Sequence, residues 1–351
     1  MDNEQHKSSY FAAANGYSGF RSYFAEIFNP EKFDKIYVLK GGPGTGKSSL
    51  MKRLRSALCE SGYEVESVLC SSDPRSLDGV VASANNHRVA ILDGTAPHER
   101  DAILPGAKDE LISLGNLWDS RYLYGSRERI CELSSAKSKA YKTAYAYLKI
   151  AGAAHEAQQR LIRSSFDEIC AKKHIKILAE SSLTIEQVEL SHRLLSAFCK
   201  DGYVKPDGMI DQNIRKITVG GDRDKSTHYI SVVWRYLDSI GVKCTLVHSP
   251  FLDAELEGLY FPKSGILLSA TDSNECDVLA DEFFVTDPED TEQIRVAGLL
   301  REYSLDEAAR WFAIASDLHF RLEKIYTAAM NFEKIEEIYV KVLTEMTDIL
   351  K

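Results

Sequence analysis

The chain reads as an α/β protein of two tandem units, each a parallel sheet flanked by helices and extended by a helical appendage. Three observations predict this: short apolar runs separated by helix-forming stretches, two long segments of helical period, and internal matches that keep their order along both halves. Strands that alternate with helices pair in parallel, and ligands of such sheets gather at the carboxyl ends of the strands.

The first strand, Ile36-Tyr37-Val38-Leu39-Lys40, runs straight into Gly41-Gly42-Pro43-Gly44-Thr45-Gly46-Lys47-Ser48-Ser49. This is the full pattern G-x-x-x-x-G-K-[ST]. Its glycines let the backbone wrap a polyphosphate with the N–H groups inward, a path that Cβ atoms obstruct. In that pattern Lys47 reaches the β and γ phosphates and the Ser48 hydroxyl ligates Mg²⁺. Ser49 to Cys59 reads as a helix with Leu50, Leu54, Ala57 and Leu58 on one side, so its positive end faces the anion. A flexible glycine turn is the plain alternative, and the strand before the loop and the helix after it speak against it. The first unit is therefore expected to be P-loop NTPase-like.

A second strand, Val65 to Cys70, ends at the turn-prone Ser71-Ser72-Asp73-Pro74, and a third, Val89 to Leu92, ends on Asp93. Lys47, Asp73 and Asp93 are expected on one edge. From about Arg127 to Glu180 the period becomes helical, with Tyr141, Tyr145, Leu148, His155, Ile162, Phe166 and Ile169 recurring at three- and four-residue steps. The chain closes on a similar stripe that includes Trp311, Leu318, Leu322, Ile335, Val342 and Met346.

The internal matches run as follows. Lys35-Ile36-Tyr37-Val38 corresponds to Lys216-Ile217-Thr218-Val219, Gly41-Gly42 to Gly220-Gly221, and Lys47-Ser48-Ser49 to Lys225-Ser226-Thr227. Asp78-Gly79 matches Glu257-Gly258, and Ala90-Ile91-Leu92-Asp93 matches Ile266-Leu267-Leu268-Ser269. His155 to Ile162 lies against His319 to Tyr326. Each match is weak alone, and their shared order implies a duplication with copies at about 1–185 and 186–351. The first copy carries a helical arm at about 127–180 and the second at about 304–351. The second loop, Gly220 to Thr227, is one residue short, lacks the inner glycines and places Asp222 and Asp224 where a polyphosphate would lie, so it repels the anion. Ser269 stands for the strand-end aspartate. The second copy is expected to be structural or regulatory, packed on the first as an intramolecular pseudo-dimer or recruiting a protein partner. Binding of a different ligand through Arg223, Lys225 or His248 is the alternative.

Composition bounds the rest. At 351 residues and 44% apolar content the chain can bury a core in each of two domains. With 43 basic against 52 acidic residues its net charge of −9 repels nucleic acid. Seven cysteines without a C-x-x-C pair fit reduced thiols, the polar start is no signal peptide, and no apolar run approaches a membrane span, so a soluble cytoplasmic protein without a membrane partner is expected. No H-E-x-x-H or paired cysteines point to a transition metal.

Phosphoryl transfer needs charge neutralisation and an aligned nucleophile. Lys47 with Mg²⁺ meets the first need, and Asp93, ending a buried strand, is the expected carboxylate that holds the ion, directly or through water. Many P-loop ATPases place a water-orienting Glu after that aspartate, and here the position is Gly94. Asp73, His98 and Glu99 are the substitutes. Asp73 also reads as an Asx turn before Pro74, and His98 as a surface loop residue. Arg121, Arg127 and Arg129 read either as a lid over transferred phosphate or as the solvated start of the helical arm.

The strings Lys40 to Met51, Cys70 to Val80 and Leu92-Asp93-Gly94-Thr95-Ala96-Pro97-His98, with Pro105-Gly106-Ala107 and Tyr141 to Leu148, together resemble a sparsely characterised bacterial family of tandem P-loop ATPases and nucleotide kinases. The resemblance covers the first copy well and the second loosely. It implies ATP and Mg²⁺ at Gly41 to Ser49. In that family the second copy can carry a loop of the first kind, and this chain departs from the pattern there. The function expected is an Mg²⁺-dependent ATPase working through the first loop. The alternatives are a kinase for a nucleotide or small metabolite, and a nucleotide-gated scaffold with negligible turnover.

Overall fold

The computed structural model describes residues 7–183, 188–206, 214–285 and 287–351. The expected boundary between copies, at 185/186, lies outside them. The first half opens with β1 (Lys7–Phe11), the hairpin of β2 (Ala13–Gly16) and β3 (Gly19–Ser22), and the one-turn α1 (Phe24–Ile27). Then come β4 (Lys35–Lys40), α2 (Lys47–Glu60), β5 (Glu64–Leu69), β6 (Leu77–Ala84), β7 (His87–Asp93) and β8 (Asp109–Ser113). Three helices follow: α3 (Ser120–Gly125), α4 (Arg127–Ser164) and α5 (Glu168–Ser182). The second half contains β9 (Ser191–Arg193), the hairpin of β10 (Ala197–Cys199) and β11 (Gly202–Val204), β12 (Arg215–Gly220), α6 (Arg223–Ser239) and β13 (Thr245–His248). It ends with β14 (Leu256–Phe261), β15 (Ile266–Ala270), β16 (Val278–Leu279), α7 (Pro288–Ala328) and α8 (Glu333–Leu350).

The strands form two mixed six-stranded sheets rather than the parallel sheets expected. The first has the order β1-β5-β6-β7-β4-β8 and the second β9-β13-β14-β15-β12-β16. In the first only β5–β6 and β6–β7 are antiparallel, and in the second only β13–β14 and β14–β15. The reversal comes from β6, an almost wholly apolar run that the sequence reading passed over. It joins β7 through Asn85 and Asn86, at φ 50° and 67°, the pair of left-handed residues that a tight two-residue hairpin needs. Since β6 runs against its neighbours, it begins at the edge where β4, β5 and β7 end.

Register corrects two of the internal matches. Leu39 pairs with Asp93 as Val219 pairs with Ala270, so Ala270 and not Ser269 stands at the strand-end position. Lys47 is the first residue of α2, whereas Lys225 is the third of α6. The second strand-to-helix connection is therefore shorter than a one-residue deletion makes it.

Packing crosses between the halves. Leu50, Leu54 and Leu58 of α2 share a core with Ile335, Val342 and Met346 of α8 against Leu39 and Ile91. Ala171, Ile175 and Leu178 of α5 pack with Tyr229, Val233 and Leu237 of α6 on the other sheet. Each half's terminal helix thus covers the opposite sheet. A third layer joins the sheets directly, with Phe11, Val38 and Leu92 against Leu194, Val247 and Leu267, and the Phe11 N–H donates to the Leu194 carbonyl at 2.8 Å. At its rim Glu66 accepts from Arg88 at 2.8 Å and from Arg193 of the second half at 2.6 Å. Burial works to raise the Glu66 pKa, but the two guanidiniums outweigh it and hold the carboxyl low.

The first arm is two helices, broken where Asp167 caps α5. The closing arm begins earlier than expected, at Pro288, with Asp287 accepting from the Glu289 and Asp290 N–H groups. α4 and α7 lie antiparallel, since Lys137 meets His319 while Arg301 meets His155. Their seam uses Ala144, Leu148, Ala308 and Phe312. Among the described residues no helix is long and apolar enough to cross a membrane.

Gly94 fits without space for any side chain: a Cβ there would strike Val38 Cγ1 and come within 2.8 Å of the Arg100 carbonyl oxygen. Replacing it with Ala is expected to cost about 1–3 kcal/mol through overpacking. Urea unfolding checks this, and a Gly94→Ala chain as stable as the parent would contradict it.

Candidate functional site

The loop between β4 and α2 takes left-handed turns at Gly44, φ 71°, and Gly46, φ 81°. A side chain at either position would be strained, which explains the glycines. Gly46 occupies the cap position of α2, makes no side-chain cap and is followed by no acidic residue in the first turn. The first N–H groups of α2 therefore have no carboxylate of their own helix to bind. Thr45, buried, closes the loop by donating Oγ1–H to the Gly42 carbonyl at 2.9 Å.

Lys47 Nζ donates to the carbonyls of Gly41 at 2.6 Å and Gly42 at 2.9 Å, and lies 3.6 Å from Asp93 Oδ2. The Ser48 hydroxyl accepts from the Leu77 N–H at 3.0 Å, tying the start of α2 to the start of β6. Asp93 Oδ1 accepts from Thr95, the N–H at 2.9 Å and the hydroxyl at 2.6 Å. That leaves Oδ2 free to face the lysine.

Asp78 stands beside Asp93 because Gly79 pairs with Leu92 across the antiparallel β6–β7 ladder. It is buried, and burial first, then the Asp93 charge, push its carboxyl up to about 8 against the opposing pull of Cys70 and Lys47. His98 completes a group with these two aspartates in which one ligand atom from each lies within 4.8 Å of the others. Its ring stacks on Phe24 at a centroid distance of 4.5 Å, and its Nε2 is buried with no hydrogen-bond partner. Burial pushes His98 below the usual imidazole range, Asp93 works the other way and Lys47 adds to the depression. A neutral imidazole with an unused nitrogen and two carboxylates make a donor set suited to a divalent cation.

Compared with protein families, curated proteins and solved structures, the chain finds no match. Its site is read from its own geometry.

The structure brings Lys47, Asp93 and His98 together and holds Asp73 in a turn with Arg75. Asp73 Oδ1 accepts from the Arg75 N–H at 3.3 Å and from its Nε at 2.9 Å, which is the Asx-turn alternative. Glu99 and Ser49 are exposed. So are Arg121, Arg127 and Arg129; Arg127 lies over the Tyr124 ring and Arg129 pairs with Glu132 at 2.9 Å, the solvated-arm alternative.

Sequence reasoning missed Asp78, whose strand it overlooked, and the part of α7 that lies on the loop. Thr327 Oγ1 donates to the Gly44 carbonyl at 3.3 Å, and a Cβ at Gly44 would fall 2.6 Å from the Glu323 carbonyl oxygen. No local signal in 41–49 points to a helix nearly three hundred residues downstream.

The second half's loop is filled by its own side chains. Asp222 caps α6, accepting from the Asp224 and Lys225 N–H groups at 3.0 and 3.1 Å. Lys225 Nζ pairs with Asp281 at 2.6 Å, and Arg223 pairs with Glu257 at 2.9 Å. His248 is bound to His192 at 2.7 Å and to the Asp253 carbonyl at 2.8 Å.

Asp78 yields a pH signature. Its folded pKa of about 8 lies above the ordinary carboxylate value, so between roughly pH 4 and 8 the folded chain keeps a proton that the unfolded chain has released. Stability therefore falls as pH rises through that window, and Asp78→Asn removes the loss. Urea unfolding at intervals from pH 5 to 8 should give a wild-type curve that drops relative to Asp78→Asn, by at most about 1.4 kcal/mol per pH unit. Parallel curves would contradict the assignment.

Proposed function

We propose that the chain binds Mg²⁺·ATP at Gly41 to Ser49 and hydrolyses it, the second half serving a structural or regulatory role. The observation that carries this is the start of α2: left-handed glycines, an uncapped helix end and a lysine held by loop carbonyls, beside a strand-end aspartate. A polyphosphate supplies what that end lacks, because each phosphate oxygen accepts several N–H groups and lies in the field of the helix dipole. Lys47, borrowed by Gly41 and Gly42, exchanges two carbonyls for phosphate oxygens, a stronger charge-assisted pairing.

Ser48 and Asp93 would hold Mg²⁺, with Asp78 and His98 within reach, and the ion when bound neutralises phosphate charge. His98 is the proposed group for orienting or deprotonating water, since its Nε2 is unpartnered and the imidazole neutral. The Glu usual after the strand-end aspartate is sterically barred at Gly94.

The two halves are proposed to be copies of one P-loop NTPase-like unit packed as a pseudo-dimer. Their sheets share one order of parallel and antiparallel neighbours, and β5–β6 and β13–β14 both shift register next to the loop edge. In the second copy Asp222 takes the helix end that an anion would occupy. Hydrolysis is preferred over phosphoryl transfer to a metabolite because the arginines that suggested a kinase lid are exposed and engaged locally.

Purified chain should release phosphate from ATP in a Mg²⁺-dependent manner. Lys47→Ala is expected to lower the rate by about a hundredfold or more, having lost a transition-state contact, and Lys225→Ala to leave it nearly unchanged. Equal loss in both variants would overturn the single-site assignment.

A further inference from the structure

α4 and α7 carry a cation and a histidine at equal spacing, Lys137 with His155 on one and Arg301 with His319 on the other. Because the helices are antiparallel, the pairs meet crosswise, one above each half's strand-to-helix loop.

Above the second loop the cation has an anion. Arg301 Nη1 donates to His155 Nδ1 at 2.9 Å and to the Asp224 carboxylate at 2.7 and 2.9 Å, and Asp224 belongs to the first turn of α6. Guanidinium only donates, so His155 accepts at Nδ1 and turns Nε2–H to Glu255 at 2.5 Å.

Above the first loop the cation has no direct ion pair among the described residues; Glu323, 3.6 Å from His319 Nε2, acts on it only at longer range. Lys137 Nζ lies 3.4 Å from His319 Nδ1, and since an ammonium also only donates, His319 accepts there and keeps its proton on Nε2. Burial, then Lys137 and Lys47, push His319 down to about 4, so it is a neutral acceptor at pH 7. Among the described residues no carboxylate comes within ion-pair distance of Lys137, which is half-buried on α4 one turn before Tyr141, beside Cys70 and Ser72 of the loop edge. The first turn of α2 offers no acidic residue either. The Glu323 carboxylate shares this place: burial and Asp73 raise its pKa, while the Gly44 N–H, Lys47 and Lys137 work the other way.

On the footing that the loop holds a nucleotide, we propose that Lys137 is a second phosphate-binding lysine, contacting the terminal phosphate of a nucleoside triphosphate as Arg301 contacts Asp224. The arm of the first copy thereby distinguishes triphosphate from diphosphate. His319 orients the ammonium by accepting one of its three hydrogens and leaves the others for phosphate oxygens. Where the second half has built its anion into the chain, the first takes it from the ligand.

The test is calorimetric titration of the full chain with Mg·ATP and Mg·ADP, on wild type, Lys47→Ala, Lys137→Met and Lys137→Arg, with circular dichroism to verify folding. Loss of a charge-assisted contact predicts that Lys137→Met weakens ATP by about tenfold or more and ADP by less than about twofold, and that Lys137→Arg retains both. If wild type binds ATP, Lys47→Ala does not, and Lys137→Met matches wild type or weakens ATP and ADP alike, the lysine assignment is wrong and the loop assignment stands. If wild type binds neither nucleotide, both are wrong.

Discussion

The open amino end of α2 is the constraint around which the site is organised. Helix starts leave N–H groups that need acceptors, and the chain answers this need differently in its two halves. At α6 it spends a side chain, Asp222, on the task. At α2 it installs glycine in a left-handed turn and no acceptor, then parks Lys47 on the loop's own carbonyls. An uncapped helix end lowers stability by about 1 kcal/mol unless some other acceptor meets its N–H groups, whereas left-handed glycines cost no steric strain.

The exchange of terminal helices gives that end a distant neighbour. α8 covers the first sheet and α5 the second, so neither half can complete its core from its own contiguous segment. The same connectivity lays α7 on Gly44 and α4 along the β5–β6 turn. The loop is thus in direct contact with a helix of the opposite half, α7, at Gly44. Across the α4–α7 seam Lys137 meets His319 and Arg301 meets His155.

Much of this was legible in the sequence, and the rest was hidden for definable reasons. The β4–loop–α2 segment is local, so spacing and residue type placed it, and Asp93 followed from the apolar run ahead of it. Ordered matches between halves pointed to the related sheets, including the Lys225 segment whose register then proved wrong. β6 was overlooked because Asp78 and Gly79 interrupt its short apolar run and no alternation marks it as a strand; the Asn85-Asn86 pair was the available signal. His155 and His319 were matched as a pair, but their partners were not, because contacts across antiparallel arms depend on tertiary register. Asp73 is the opposite case: the bonds it makes, in a turn with Arg75, are local and need nothing from the rest of the chain.

The steric closure at Gly94 and the reversal at β6 have one joint consequence. A parallel edge contributes one residue per strand end, and the position after Asp93 is closed by Val38 and the Arg100 backbone. A strand that starts at the edge supplies a second carboxylate directly opposite the first, at Asp78. Burial, and then the neighbouring Asp93, push the Asp78 carboxyl well above the ordinary carboxylate range, while Asp93 Oδ2 lies 3.6 Å from Lys47 Nζ. The position after Asp93 thus excludes a carboxylate, yet another strand brings one to the same edge, next to an imidazole whose Nε2 has no partner. The antiparallel start of β6 at this edge, which a wholly parallel sheet lacks, is what puts Asp78 there.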